Sequence, residues 1–137
     1  MKLFAVALAM VIALCIGGTA SAATNWVEVS KNDGIVTCID KDSIRRGTVS
    51  KKFPKFNRKD GYSAIVKLDI TMSDSEKIDM TYLVSFYEKN GERMFCLLDG
   101  YNGVKYPEKE SDVLEEKVDI EGRVWPQVWT YIEKNLK

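Results

Sequence analysis

The sequence predicts an α+β domain: an antiparallel β-sheet meander with one C-terminal amphipathic helix packed on it. Three observations carry this expectation. Two long segments alternate apolar and polar residues with period two, an Asn-Gly pair links two β-favouring segments, and the last dozen residues switch to helical spacing.

In chain order, Trp26-Val27-Glu28-Val29 and Ile35-Val36-Thr37-Cys38-Ile39 are short runs of β-favouring residues. Lys31-Asn32-Asp33-Gly34 between them is turn chemistry, with a glycine free to take positive φ, so a hairpin is expected. The stretch Thr48 to Asn57 contains Pro54, which has no N–H for a ladder and belongs at an edge or a bulge. The clearest strand runs from Ala64 to Met72, where Ala64, Val66, Leu68, Ile70 and Met72 share one face. Ile78, Met80, Tyr82, Val84 and Phe86 repeat the pattern. Asn90-Gly91 then turns the chain into a strand from Arg93 to Leu98, and Tyr101-Asn102-Gly103 marks a further turn. Glu108 to Glu121 reads as a charged connector with no assignable period. Trp125, Val128, Trp129, Ile132 and Leu136 fall at helical spacing, and Pro126 suits a first helical turn, so a terminal helix is expected to lay its Trp face on the sheet.

The first residues set the expected compartment. Lys2 precedes a short apolar run from Leu3 to Ile16, Gly17 and Gly18 end that run, and Ala20-Ser21-Ala22 supplies the small residues of a cleavage site. Residues 1–22 are therefore expected to be a secretory signal peptide, and 23–137 a single β-rich exported domain of the periplasm, cell surface or medium. A transmembrane reading needs about 20 consecutive apolar residues, more than this run supplies, and no second apolar segment follows. Leu14 before Cys15 is not the small residue that a lipoprotein peptidase takes, so Cys15 is expected to leave with the signal.

Charge and composition narrow the function classes. The chain has 20 basic and 20 acidic residues, so it has no overall pull toward nucleic acid or an anionic membrane. It has no histidine, which removes Ser-His-Asp and Cys-His catalysis and histidine-ligated metals. No glycine loop that cradles phosphate and no nucleophile elbow is present. Acidic pairs such as Asp40 with Asp42, or Asp74 with Glu76, occur in any chain this rich in carboxylates and carry no signal by themselves. The expectation is a protein that is not an enzyme and needs no cofactor or metal. Of the three cysteines, Cys38 and Cys96 lie in the exported part, where an even pair reads as a disulfide closing a long loop, worth about 4 kcal/mol. The alternative is two buried free thiols.

One segment departs from an even surface. Lys41, Arg45, Arg46, Lys51, Lys52, Lys55, Arg58 and Lys59 cluster with Phe53, Pro54 and Phe56 among them, and the Glu108–Glu121 connector is their acidic counterpart. Lys41, Arg45, Arg46, Lys51, Lys52, Phe53, Lys55, Phe56 and Arg58 are the candidate binding residues, for an envelope or host protein or an anionic polymer. Two other readings stay open: a solvated hairpin whose phenylalanines fill the core, and self-association of basic segment on acidic segment as a homodimer.

Asn25-Trp26-Val27-Glu28-Val29 followed by Ile39-Asp40-Lys41-Asp42-Ser43-Ile44-Arg45-Arg46-Gly47 resembles the opening of bacterial surface-adhesin protein E-like domains. The Trp125–Leu136 segment is similar to their closing helix, a Trp followed closely by Pro. Members often carry a cysteine near the C-terminus, where this chain ends Leu136-Lys137, and often an aromatic where Cys38 stands. The resemblance implies a β-sheet domain with a packed helix, exported to the envelope or surface and acting by binding. The alternative is a periplasmic structural or interaction protein that self-associates or binds another envelope protein.

Overall fold

In a computed structural model of the protein, residues 25–73, 76–119 and 124–136 are described. The expected signal peptide with Cys15, and Asp74, lie outside them. The strands are β1 Trp26–Asn32, β2 Ile35–Asp40, β3 Arg45–Thr48, β4 Arg58–Thr71, β5 Lys77–Lys89, β6 Glu92–Tyr101 and β7 Glu115–Lys117; the helix α1 is Trp125–Asn135. All pairings are antiparallel, in the order β1-β2-β4-β5-β6-β7, with β3 also on β4. The fold is the expected α+β meander with its helix packed on the sheet.

Local chemistry explains the turns. Asp33 and Gly34 (φ 48° and 78°) and Asn90 and Gly91 (φ 54° and 80°) are two-residue loops with positive φ at both positions, the turn whose twist matches a hairpin. Asn102 and Gly103 repeat it at 56° and 86°.

The two halves β2 and β3 lie end to end along the same edge of β4. Ile39 pairs with Val66 and Arg45 with Ser63, so residues 40–44 stand opposite only Ala64 and Ile65. The surplus is coiled into a 3₁₀ turn at Lys41–Ser43. Asp40 Oδ1 accepts from the Asp42 N–H at 3.1 Å and the Asn25 N–H at 3.4 Å. Ser43 Oγ donates to the Asp40 carbonyl and accepts from the Ile65 N–H, both at 2.7 Å, filling the ladder position that the looped-out chain vacates. Short Asp and Ser side chains suit this because they reach local backbone groups. The Asp-x-x-Ser motif is thus a splice that keeps one strand in register.

Both faces of the sheet carry packed chain. On one, α1 sets Trp125, Val128, Trp129 and Ile132 against Ile39, Val66, Val84, Phe86 and Phe95. Phe95 stacks on Trp125 at 4.3 Å, and Trp129 meets Phe86 and Tyr62 edge-on at 5.9 Å each. Such ring pairs add about 0.5–1.5 kcal/mol each beyond their burial. On the other face Leu83, Tyr87, Cys96 and Leu98 are covered by Phe53, with Phe56, Met94, Tyr101 and Val113 at the margin. The roof of this second face is irregular chain: 49–57 and the connector, whose regular pieces among the described residues are a 3₁₀ turn at Glu110–Asp112 and β7. Thr48–Asn57 forms no strand beyond Thr48, and Pro54 opens a 3₁₀ turn at Pro54–Phe56.

The expected Cys38–Cys96 disulfide is not formed. Both side chains are buried free thiols. Cys38 is on β2 and Cys96 on β6, with β4 and β5 between them, so three strand spacings hold them about 14 Å apart. A disulfide needs Cα atoms within about 7 Å. Parity of cysteines carries no information about strand order, which is why the sequence misled here. Burial pushes the Cys96 thiol up to about 11 and raises Cys38 as well.

Two predictions follow the register and the burial. Protein beginning at Ala23 should titrate as two free thiols per chain once unfolded and react slowly when native, as thiol-reagent kinetics will read; absence of free thiol after unfolding would contradict the strand order. Asp69 and Asp79 face each other directly across β4 and β5, and the hydrogen bond that protonated Asp69 donates to Asp79 raises the Asp69 carboxyl, with burial adding to it. A raised folded value means that the stabilisation is complete below the ordinary carboxylate range and is lost as pH rises through the folded value. Asp69→Asn should therefore match wild type near pH 3, below the ordinary carboxylate range, and exceed it by about 0.5 kcal/mol at pH 7 in urea unfolding, the scale of an opposed like-charge pair on a sheet.

Candidate functional site

The candidate site grows from the segment that follows the splice. Gly47 takes φ +73°, and a Cβ there would lie 2.6 Å from the Arg58 carbonyl oxygen, so only glycine lets β3 bulge against β4 between Arg46 and Thr48. Thr48 Oγ1 and Ser85 Oγ are 2.6 Å apart in the buried layer. The chain then crosses the second face of the sheet, held from below by Asp99 near the end of β6. The Asp99 carboxylate accepts from Ser50 Oγ at 2.6 Å, the Lys51 N–H at 2.9 Å and the Lys52 N–H at 3.2 Å. Ser50 Oγ in turn accepts from the Phe53 N–H at 2.9 Å, and Asn57 Oδ1 accepts from the Ser50 N–H at 2.7 Å. These bonds aim Phe53 into the core, where it is 2% exposed. A buried carboxylate with several donors is stable; without them its burial would be costly.

The nine candidate residues are sorted by this frame into three sets. Phe53 is core and presents no surface to a partner, and Phe56 is half-buried beside it. Lys52, Lys55 and Arg58 are engaged within the chain. Lys52 Nζ donates to the Pro107 carbonyl at 2.6 Å, Lys55 reaches Glu110 at 3.7 Å, and Arg58 grips Asp60 through Nε and Nη2 at 3.1 and 3.0 Å while lying over the Tyr87 ring. The Asp60 hydrogen bond raises the Arg58 guanidinium and, reciprocally, lowers the Asp60 carboxyl. Lys41, Arg45, Arg46 and Lys51 are exposed and have no ion-pair partner among the described residues.

Three of those four cations, Arg45, Arg46 and Lys51, line one groove of about 190 Å³ along β3. Its lining includes Ser63, Ile65, Leu83, Tyr101 and the Asp99 carboxylate, and Val49 rims it at 77% exposure; Arg46 also borders a second recess with Asp60, Glu88 and Glu133. The groove offers guanidinium and ammonium donors, hydroxyls and a little apolar surface. Guanidinium forks suit carboxylate, sulfate and phosphate oxygens. Among the described residues no cluster of three or more His, Cys, Asp or Glu is placed to hold a metal ion, and no helix is long and apolar enough to cross a membrane.

The acidic connector is engaged elsewhere. Glu115 accepts from the Tyr87 hydroxyl and from Lys89 Nζ, Asp119 is bound by Arg93, and Asp112 caps the 3₁₀ turn through the Glu108 and Lys109 N–H groups. The Tyr87 hydrogen bond lowers the Glu115 carboxyl, while burial first and that same bond second raise the Tyr87 phenol. Glu121 lies outside the described residues.

Sequence reasoning missed Asp99, Ser50 and Tyr101. Asp99 stands 47 to 49 positions from the groups it binds, and nothing local marks it. Comparison of the chain with family models, curated proteins and solved structures finds no match.

Asp99→Ala should leave the Ser50 hydroxyl hydrogen and two backbone N–H groups without their acceptor under the roof and cost about 1–3 kcal/mol. Hydrogen exchange should quicken across residues 50–57 more than along β5. Equal quickening in both, or no loss of stability, would mean the roof is held by Phe53 packing alone.

Proposed function

We propose that the chain is an exported, non-catalytic binding module that takes an anionic partner in the groove along β3, at the cell envelope or surface. The observation that carries this is the division of the cations: Lys52, Lys55 and Arg58 are engaged within the chain, while Arg45, Arg46 and Lys51 border one recess without an ion-pair partner, and the one carboxylate lining it, Asp99, is already taken up by Ser50 and two backbone N–H groups. A solvated face would scatter such charges rather than gather them around hydroxyls and an apolar rim. The partner class is an acidic protein face or an anionic polymer, and nucleic acid is not favoured for a near-neutral chain. The resemblance of the Trp26 strand, the Asp40-x-x-Ser43-Ile44 splice and the closing helix to surface-adhesin protein E-like domains supports binding as the activity. Self-association through the acidic connector is the weaker reading, because Glu110, Glu115 and Asp119 already have cationic partners in their own chain.

Retention on immobilised heparin tests it. Wild type should be retained at low salt and released as salt screens the charges. The triple variant Arg45→Glu/Arg46→Glu/Lys51→Glu should run through unretained. A control with the same charge change at exposed Lys31, Lys77 and Lys105 should stay retained. Equal retention of all three proteins would sink the proposal.

A further inference from the structure

The helix face of the sheet is only part covered. An α-helix of 11 residues is about 16 Å long, whereas a strand of 14 residues such as β4 runs about 46 Å. Trp125 and Trp129 lie over Phe86, Phe95 and Tyr62, toward the start of β4. Farther along that face, the cross-strand pairs Leu68–Met80 and Ile70–Ile78 stay half-open, and Ile78 is 42% exposed.

Between α1 and the β1–β2 hairpin this leaves a trough of about 280 Å³. Ile35, Leu68 and Leu97 form its floor and Trp125 part of its wall, while Asp33 and Glu116 stand among its lining residues. Neither carboxylate has an ion-pair partner among the described residues. An apolar floor with unpaired acids at its edge selects an occupant that is apolar in the middle and cationic at its ends. The volume falls just below that of pockets that enclose small molecules, about 300–1,000 Å³, and suits one or two side chains presented by a chain lying across the opening.

We infer that this trough docks an extended peptide segment of a partner protein in which aliphatic residues are flanked by lysine or arginine. The site is separate from the cationic groove and has the opposite charge preference. The aliphatic anchor is desolvated against Leu68 and Leu97, and the flanking cations meet Asp33 and Glu116 at the rim, where they select the partner more than they hold it.

Methyl NMR on the isoleucine- and leucine-labelled chain, titrated with acetyl-Lys-Leu-Leu-Lys-amide, reads the site directly. Saturable shifts are expected at the Ile35, Leu68 and Leu97 methyls. The acidic counterpart acetyl-Glu-Leu-Leu-Glu-amide should shift them far less. Asp33→Asn/Glu116→Gln removes both rim charges without touching the core, and Asn is well suited to the positive φ at position 33. It should weaken the basic peptide about three- to tenfold, as expected for two exposed charge contacts. Absence of saturable shifts at these methyls, equal response to both peptides, or undiminished affinity of the double variant would each overturn the inference. The Arg45, Arg46 and Lys51 variant should bind this peptide as wild type does, which separates failure here from failure of the groove.

Discussion

A seven-stranded open sheet has two faces to cover, and among the described residues this chain has one α-helix with which to do so. The helix and its tryptophans take one face. The other must be roofed by irregular chain, whose backbone polar groups need partners once buried. Asp99 meets that demand: one carboxylate gathers a hydroxyl and two N–H groups and turns 50–53 inward. Phe53 can then act as the core residue that a second helix would otherwise supply. The lysines and arginines around it are on the surface because the roof is a single layer of chain, with one side dry and the other wet.

This division also explains the electrostatics. Lys52 and Lys55 of the roof reach a carbonyl and a carboxylate of the 105–110 segment, and Arg58 on β4 reaches Asp60 of its own strand. The cations on the short strand β3, Arg45 and Arg46, form no ion pair among the described residues. Edge strands are commonly protected by charge and by a bulge, and Arg45, Arg46 and Gly47 supply both. Edge protection and anion binding are compatible, since both need cations that are free to reach outward.

The parts of the fold legible in the sequence were those governed by neighbours in the chain. Alternation gave β4 and β5, the Asp33-Gly34 and Asn90-Gly91 pairs gave the hairpins, and the spacing of Trp125, Val128, Trp129 and Ile132 gave α1. What stayed hidden depended on partners far along the chain. The splice at Asp40–Ile44 is visible only once β4 lies beside it, and Asp99 looks like any other acidic residue until the roof folds over it. The candidate site was legible as a composition and illegible as a geometry. Nine residues stood out together, but which cations were free depended on Asp60, Glu110 and the Pro107 carbonyl. The apolar trough had no signature, because its aliphatic residues read as ordinary core.

The separation of Cys38 from Cys96 has a consequence for how the molecule is made. No covalent bond between side chains ties the described sheet together, so its assembly requires no oxidant and no thiol-exchange catalyst. The same fold is open to the chain in a reducing cytosol as in an oxidising space outside it.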